Sequence, residues 1–346
     1  MIIKVNARNG TQRFAADAGE SILFAGLGSG VALHYECATG TCGTCKARLI
    51  DGEIENRWPD APGRKVFKAG QNDFLMCQCR ALGDLEVEVV KAVDTLQPDA
   101  RPRRMTGVVT DLRYLTADVV AIAIGLDTCC DFEAGQFMAV SAPGLAGMRS
   151  YSMVNFARRT DRLEFLVKKK PGGGFSEWLF GGNAVGATLG LFGPLGKATF
   201  NPELDKNLLC IAGGSGIAGM MSILTHACQQ RYFDRYPGDV FFGVRTMNDA
   251  FFLEELSGFC RAHSNRLSVT VALSDEDVPE AAGERFPHLR FARGFVHEVA
   301  RREMSGKYQN VRAYIAGPPP AVDATIRVLL VDAKLSGENI RYDKFS

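Results

Sequence analysis

Three cysteines within nine residues constrain this chain more than any other feature. Cys37, Cys42 and Cys45 stand in Glu36-Cys37-Ala38-Thr39-Gly40-Thr41-Cys42-Gly43-Thr44-Cys45, a C-x4-C-x2-C spacing. That spacing suits a plant-type [2Fe–2S] centre, whose fourth thiolate comes from farther along the chain. Gly40 and Gly43 fit such a loop, because residues without a Cβ let backbone N–H groups close on the sulfides. Cys77 and Cys79, in Leu75-Met76-Cys77-Gln78-Cys79, compete for the fourth position, and strand alternation would turn both the same way. A zinc site is the rival use of clustered cysteines, but zinc ribbons usually carry two C-x2-C pairs and only one is present. Cys129, Cys130, Cys210, Cys228 and Cys260 lie in apolar segments and are expected to be inert core thiols.

The cysteines gain weight from what the rest of the chain excludes. Its 346 residues exceed the ~150 of an average domain, so two or three domains are expected. A net charge of +1 gives no strong pull toward nucleic acid or an anionic membrane. The longest apolar runs, such as 119–124, fall far short of the ~20 residues of a membrane helix. The first residues, Met1-Ile2-Ile3-Lys4-Val5, read as a strand and not as a secretory signal. A cytoplasmic monomer is expected, and in that compartment clustered thiols hold metal more often than they form disulfides.

Periodicity divides the chain into three modules. Residues 1–92 hold the clustered cysteines among short strands (2–7, 12–16, 46–50, 85–90) and a helix at 21–27. Residues 93–104 are polar and contain proline, as a linker would. Residues 105–202 alternate apolar and polar positions, with strands at 119–124, 135–140, 149–153 and 163–167 at the spacing of a small antiparallel barrel. From 203 to 346 strands (207–212, 239–244, 267–273, 313–316) alternate with helices (250–263, 295–304, 321–335), which indicates an open parallel α/β sheet.

The second and third modules carry anion-binding phrases. Arg149-Ser150-Tyr151-Ser152 offers a guanidinium fork for a pyrophosphate, a ring to cover a flat cofactor and a hydroxyl to hydrogen-bond it. Lys168-Lys169-Lys170-Pro171-Gly172-Gly173-Gly174-Phe175-Ser176 opens a helix, where free N–H groups and the helix dipole favour phosphate. Gly213-Gly214-Ser215-Gly216 joins a strand to a helix in the manner of a dinucleotide turn. Arg245, Asp275 and Ala316-Gly317-Pro318 each lie at or just past the end of a predicted strand, where ligands bind in such sheets.

Taken in order, these phrases resemble the reductase components of bacterial multicomponent oxygenases, such as those serving methane, toluene and phenol monooxygenases and benzoate dioxygenase. R-x-Y-S is the phrase of their ferredoxin–NADP reductase-like flavin domain, and Gly193-Pro194-Leu195-Gly196 matches the turn that closes its barrel. Residues 75–78 resemble the phrase that ends their ferredoxin domain, which singles out Cys77 beside Cys37, Cys42 and Cys45. The resemblance implies a multidomain fold: a β-grasp ferredoxin (α+β), an antiparallel six-stranded β-barrel for FAD and an α/β parallel-sheet nicotinamide domain. It also implies hydride transfer from NADH to FAD, and single electrons passing to the [2Fe–2S] cluster. An oxygenase or hydroxylase component, or an intermediate ferredoxin, then receives them.

On the same resemblance Arg149, Tyr151, Ser152, Lys168, Gly173, Gly174 and Ser176 hold FAD. Gly213, Gly214, Ser215, Gly216, Arg245, Asp275, Gly317 and Pro318 hold the nicotinamide nucleotide. Ser152, Ala316 and the terminal aromatic Phe345 adjoin the hydride step. Ala316 replaces the family's cysteine, and Gly219 replaces its proline after the glycine turn. Asp275 and Glu276 suit a ribose diol and favour NADH, while Arg245 argues for NADPH. Two other readings keep much of the module: a reductase for a cytochrome P450, and a redox sensor whose hydride site has decayed.

Overall fold

A hairpin of β1 (Ile2–Ala7) and β2 (Gly10–Ala15) buries Ile3 and Val5 on one face, as alternation dictates. In the computed structural model, which describes residues 1–344, it is followed by α1 (Ile22–Gly28), whose apolar residues from Ile22 to Leu27 are all buried. Ser21 caps α1, its Oγ accepting from the Phe24 amide at 3.3 Å. Then come β3 (Lys46–Asp51), β4 (Ile54–Asn56), β5 (Asp73–Leu75), β6 (Cys79–Ala81) and β7 (Leu85–Glu88). The main sheet has the order β2-β1-β7-β3-β5, with β1 and β7 parallel and Val5 opposite Val87. Parallel neighbours need a long crossover, and the cysteines lie in it.

Residues 94–96, part of the expected linker, are held down. Thr95 bridges Val31, the Leu96 amide donates to Gly30 O at 2.7 Å, and Asp94 O accepts from the Ala32 amide at 2.9 Å. Buried Val93 anchors the segment, and the Asn9 side chain bonds both its N–H and its carbonyl. Polar composition hid this because the bonds are made by backbone. The run from Gln97 to Arg101, which includes the single turn Pro98–Ala100, is exposed throughout.

The second module runs through β8 (Arg103–Tyr114), β9 (Val119–Cys130), β10 (Phe137–Ser141), β11 (Arg149–Ser152), β12 (Thr160–Lys168), α2 (Gly174–Phe180) and β13 (Thr188–Leu195). Its six strands form one sheet in the order β11-β10-β13-β8-β9-β12, with long antiparallel ladders flanking β9. Gly193-Pro194-Leu195 belongs to the end of β13, with a cis Gly193–Pro194 bond. Cys129, expected in a core, is exposed near the end of β9, where residues 127–129 all face outward.

The third module alternates β14 (Asn207–Gly213), α3 (Ile217–Gln229), β15 (Gly238–Val244), α4 (Leu253–Ala262), β16 (Leu267–Leu273), α5 (Glu280–Arg285), β17 (Arg290–Arg293), α6 (Val296–Glu303), β18 (Val311–Gly317), α7 (Pro319–Arg327) and β19 (Ile340–Lys344). The sheet is wholly parallel, in the order β17-β16-β15-β14-β18-β19. From β14 the chain builds outward to β17, then returns to β18 on the other side. The switch point therefore falls between β14 and β18, where open α/β sheets bind ligands. The helix expected over 321–335 ends at Arg327 and continues as a π-helical stretch, Val328–Asp332. Among the described residues no helix is long and apolar enough to cross a membrane.

By internal contacts the chain forms two units. One comprises residues 1–106, 138–150 and 188–195, and the other holds the remainder. The first unit thus contains the cysteine module together with β13 and most of β10.

Candidate active site

The four thiols in the crossover are gathered two by two. Cys45 Sγ and Cys77 Sγ lie 3.2 Å apart, and the Cys42 thiol hydrogen-bonds Cys37. Backbone amides of Thr39, Thr41 and Cys42 donate to Cys37 Sγ at 3.5, 3.4 and 3.4 Å. Thr44 N donates to Cys42 Sγ at 3.4 Å, and Gln78 Nε2 to Cys77 Sγ at 3.5 Å. The bond from the Cys42 thiol, helped by the amides and opposed by burial, brings Cys37 down to about 4. Its bond to Cys37, then burial, pushes Cys42 up, and Cys45 rises through its bond to Cys77 and burial. The donors gathered on Cys37 thus stabilise its thiolate, the form in which a cysteine binds a cluster. Among the described residues no three Cys, His, Asp or Glu groups meet around one ion; the pairing is two and two, which suits two irons.

Cys79 lies on β6, fully buried, and burial, with the neighbouring Cys45, pushes it up to about 12. The alternation argument fails here because 77 and 79 do not share a strand. β5 ends at Leu75, and the Gln78 amide closes a turn onto Leu75 O at 2.9 Å. Gly63 escaped the sequence reading. A Cβ there would sit 2.7 Å from Gly43 N and 2.8 Å from Gly40 O, so only glycine lets its segment cover the loop. Its single signal is the Pro62-Gly63 turn dipeptide.

At the start of β11, Arg149 is exposed, its Nη1 donates to Met148 O at 2.9 Å, and among the described residues no carboxylate pairs with its fork. The Tyr151 ring lies 5.4 Å from that of Phe175. Ser152 is buried, beside Gly219 of α3. In the glycine loop Ser176 Oγ accepts from the Lys170 amide at 3.0 Å and donates to Gly173 O, so it braces the loop. A Cβ on Gly173 would meet Lys170 O and Ser176 Oγ at 2.9 Å, and Gly174 opens α2. Glu177 Oε1 accepts from the Gly172 amide at 2.8 Å, and Lys168 pairs with Asp118 at 3.3 Å. The free fork and the shielded serine fit a flavin dinucleotide.

Gly214 has φ +53 and open space where a Cβ would stand, the clearance a pyrophosphate needs. Gly216 is tight: a Cβ would fall 2.5 Å from Ala316 O and 2.7 Å from Gly317 N. Ser215 lies between them in the single turn before α3. Gly317 backs onto Gly213, and Pro318 packs beside the same residue. One turn into α3, a Cβ on Gly219 would sit 3.6 Å from Ser152 Cβ and 3.8 Å from Gly135 O. Buried Ser222 fixes this approach, accepting from the Gly135 amide at 2.9 Å and donating to Gly219 O at 2.8 Å. Nothing in the sequence marked Ser222.

At the far end of the sheet Arg245 pairs with Asp249 at 3.0 Å and approaches Asp118 at 3.9 Å. The Asp275 amide bonds Arg245 O, its carboxylate accepts from Ser274 Oγ at 2.6 Å, and Glu276 accepts from the Met247 amide. Phe345 lies outside the described residues.

Residues 5–82 match the model of the 2Fe-2S iron-sulfur cluster binding domain. Residues 107–200 match the oxidoreductase FAD-binding domain and 210–326 the oxidoreductase NAD-binding domain. Ferredoxin--NAD(P)(+) reductase CarAd of Metapseudomonas resinovorans is 34% identical over 330 residues, 95% of each chain. The ferredoxin--NAD(+) reductase component of the alkene monooxygenase system of Xanthobacter autotrophicus is 32% identical over 339 residues, 97% of this chain and 99% of its own. The structure of the ferredoxin reductase in carbazole 1,9a-dioxygenase matches with a TM-score of 0.82 at 32% identity, covering 100% of this chain and 99% of its own. The chain is an iron–sulfur flavoprotein oxidoreductase that carries FAD and a [2Fe–2S] cluster and uses NAD(P)H. It belongs to the family of reductase components of multicomponent oxygenases.

Proposed function

We propose that this reductase takes hydride from NADH and passes electrons through FAD to a cluster held by Cys37, Cys42, Cys45 and Cys77. An oxygenase component or an intermediate ferredoxin then receives them. One observation carries the reading. The start of α3 packs on Ala316 through Gly216 and on Ser152 through Gly219, so flavin strand and nicotinamide turn converge on one helical turn. FAD supplies the step between a two-electron donor and a one-electron acceptor. The chain supplies position: Arg149 grips the pyrophosphate, Tyr151 covers the ring, and Ser152 presents a hydroxyl where hydride arrives. Gly213, Gly214, Ser215 and Gly216 admit the nucleotide phosphates, and Gly317 with Pro318 closes the turn beside them.

NADH is the preferred donor because Arg245 is already neutralised by Asp249 and faces the further negative charges of Asp118 and Asp275, which offset its pull on a 2′-phosphate. The modules are 1–92, 105–202 and 203–346, and of the joining residues 93–104 those up to Leu96 bond to the first module. One chain holds all three sites, which suits a cytoplasmic monomer.

Anaerobic stopped flow tests this reading. NADH should bleach the flavin first and the cluster second, and Ser152→Ala should slow the first phase roughly tenfold, the cost of one hydrogen bond to a developing charge. A cluster that bleaches before the flavin, or a flavin inert to NADH, would overturn it.

A further inference from the structure

Ser150 sits between Arg149 and Tyr151 and has no part in the flavin reading. Its Oγ donates to the carbonyl oxygen of Cys37 at 2.6 Å, across 113 residues of chain. Cys37 is the thiol that three backbone amides address. The hydrogen bond therefore ties the cluster loop, through a ligand's own peptide group, to the flavin strand.

A second contact in the same unit supports it. Phe24 of α1 stacks on Phe192 of β13 with ring centroids 4.3 Å apart and planes 21° apart, and both rings are buried. The Arg104 guanidinium lies 5.9 Å from the centre of the Phe192 ring and pairs with Glu20 at 2.9 Å. Stacked rings supply apolar area but can slide over one another. A hydroxyl-to-carbonyl bond at the short end of its range is directional and fixes register.

We propose that Ser150 is a positioning residue, a latch that holds the cluster loop against the flavin strand and sets the gap an electron must cross. The proposal rests on the electron order given above. NADH gives up two electrons and one proton as hydride. A cluster held by the four cysteines would take one electron, pass it to the oxygenase component or ferredoxin, and only then take the second, the proton leaving to water. Ser150 neither gains nor loses a proton or an electron. Transfer between fixed centres slows steeply with their separation, so a loosened loop slows the second step selectively.

The test uses the full-length holoprotein with Ser150→Ala and Ser150→Thr. In anaerobic stopped flow the rate of cluster reduction, divided by that of flavin reduction, should fall on the order of fivefold in Ser150→Ala, as expected for losing one neutral hydrogen bond. Hydrogen–deuterium exchange of the oxidised protein, which needs no turnover, should show amides 38–44 exchanging faster by a similar factor. Ser150→Thr keeps the hydroxyl and should restore both values. A wild-type ratio or wild-type exchange in Ser150→Ala, or a loss that Ser150→Thr does not restore, would overturn the latch. A wild-type protein that reduces its flavin but never its cluster would overturn the electron order itself.

Discussion

Arg245 shows how one neighbour settles a role that residue type leaves open. The sequence sets an arginine, favourable to a 2′-phosphate, against Asp275 and Glu276, which repel one. The structure adds Asp249, whose carboxylate takes Arg245 at 3.0 Å and also accepts from the amide and hydroxyl of Thr246. Burial pushes Asp249 up, but the bonds from Thr246 and Arg245 outweigh it and hold the carboxyl below its ordinary value. A depressed folded pKa means the pair stabilises the fold above the unfolded value of ~3.9 and is lost only as pH falls through the folded one. The NADH-to-NADPH preference should therefore be flat from about pH 6 to pH 9 as far as this pair is concerned. Asp249→Asn keeps an acceptor for Thr246 and removes the charge that occupies Arg245. Relative kcat/KM for NADPH should rise about threefold, a size suited to an exposed, screened pair. No change in the ratio would show that Arg245 does not reach the 2′ position.

At the scale of elements, periodicity recovers what it is able to see. Strands 207–212, 239–244 and 267–273 are nearly continuous apolar runs and were legible. Short edge strands such as β17 and β19 carry charged residues and were not. Turns defeat pattern reading most: the turn at 76–78 separates Cys77 from Cys79, where a single strand would have put them on one face. Gly219 is a case where sequence and structure combine. The family's proline is absent, and the structure shows ordinary van der Waals room for a Cβ, 3.6 Å or more from Ser152 and Gly135. Glycine in a helix costs roughly 0.5–1 kcal/mol relative to alanine. Gly219→Ala should accordingly raise the melting temperature of the holoprotein by about 1–2 °C, measured by calorimetry, with NADH affinity unchanged. A lower melting temperature would mean the methyl group disturbs Ser152.

For the whole molecule, three modules in the right order were legible because each carries its own glycine or cysteine phrase. What joins them was not, since Phe24 with Phe192 and Ser150 with Cys37 are ordinary residue types far apart in the chain. A linker read from composition predicts halves that part freely when it is cut. The structure changes that expectation: residues 94–96 belong to the ferredoxin module's backbone bonding, leaving Pro98–Ala100 as the exposed stretch where a protease site can be placed. Cutting there removes the tether but not the stacked rings, the Arg104–Glu20 pair or the Ser150 bond. A short tether acts as an effective concentration of about a millimolar, so a nicked protein assayed near a micromolar should dock its cluster far less often. Flavin reduction by NADH should be unaffected. Cluster reduction should fall by about tenfold or more, become dependent on protein concentration, and recover as excess residues 1–98 are added. A nicked protein whose cluster reduction stays fast on dilution would show that the contacts hold the halves together without the chain. Failure to recover at any concentration would show that chain continuity is needed to build the docked state.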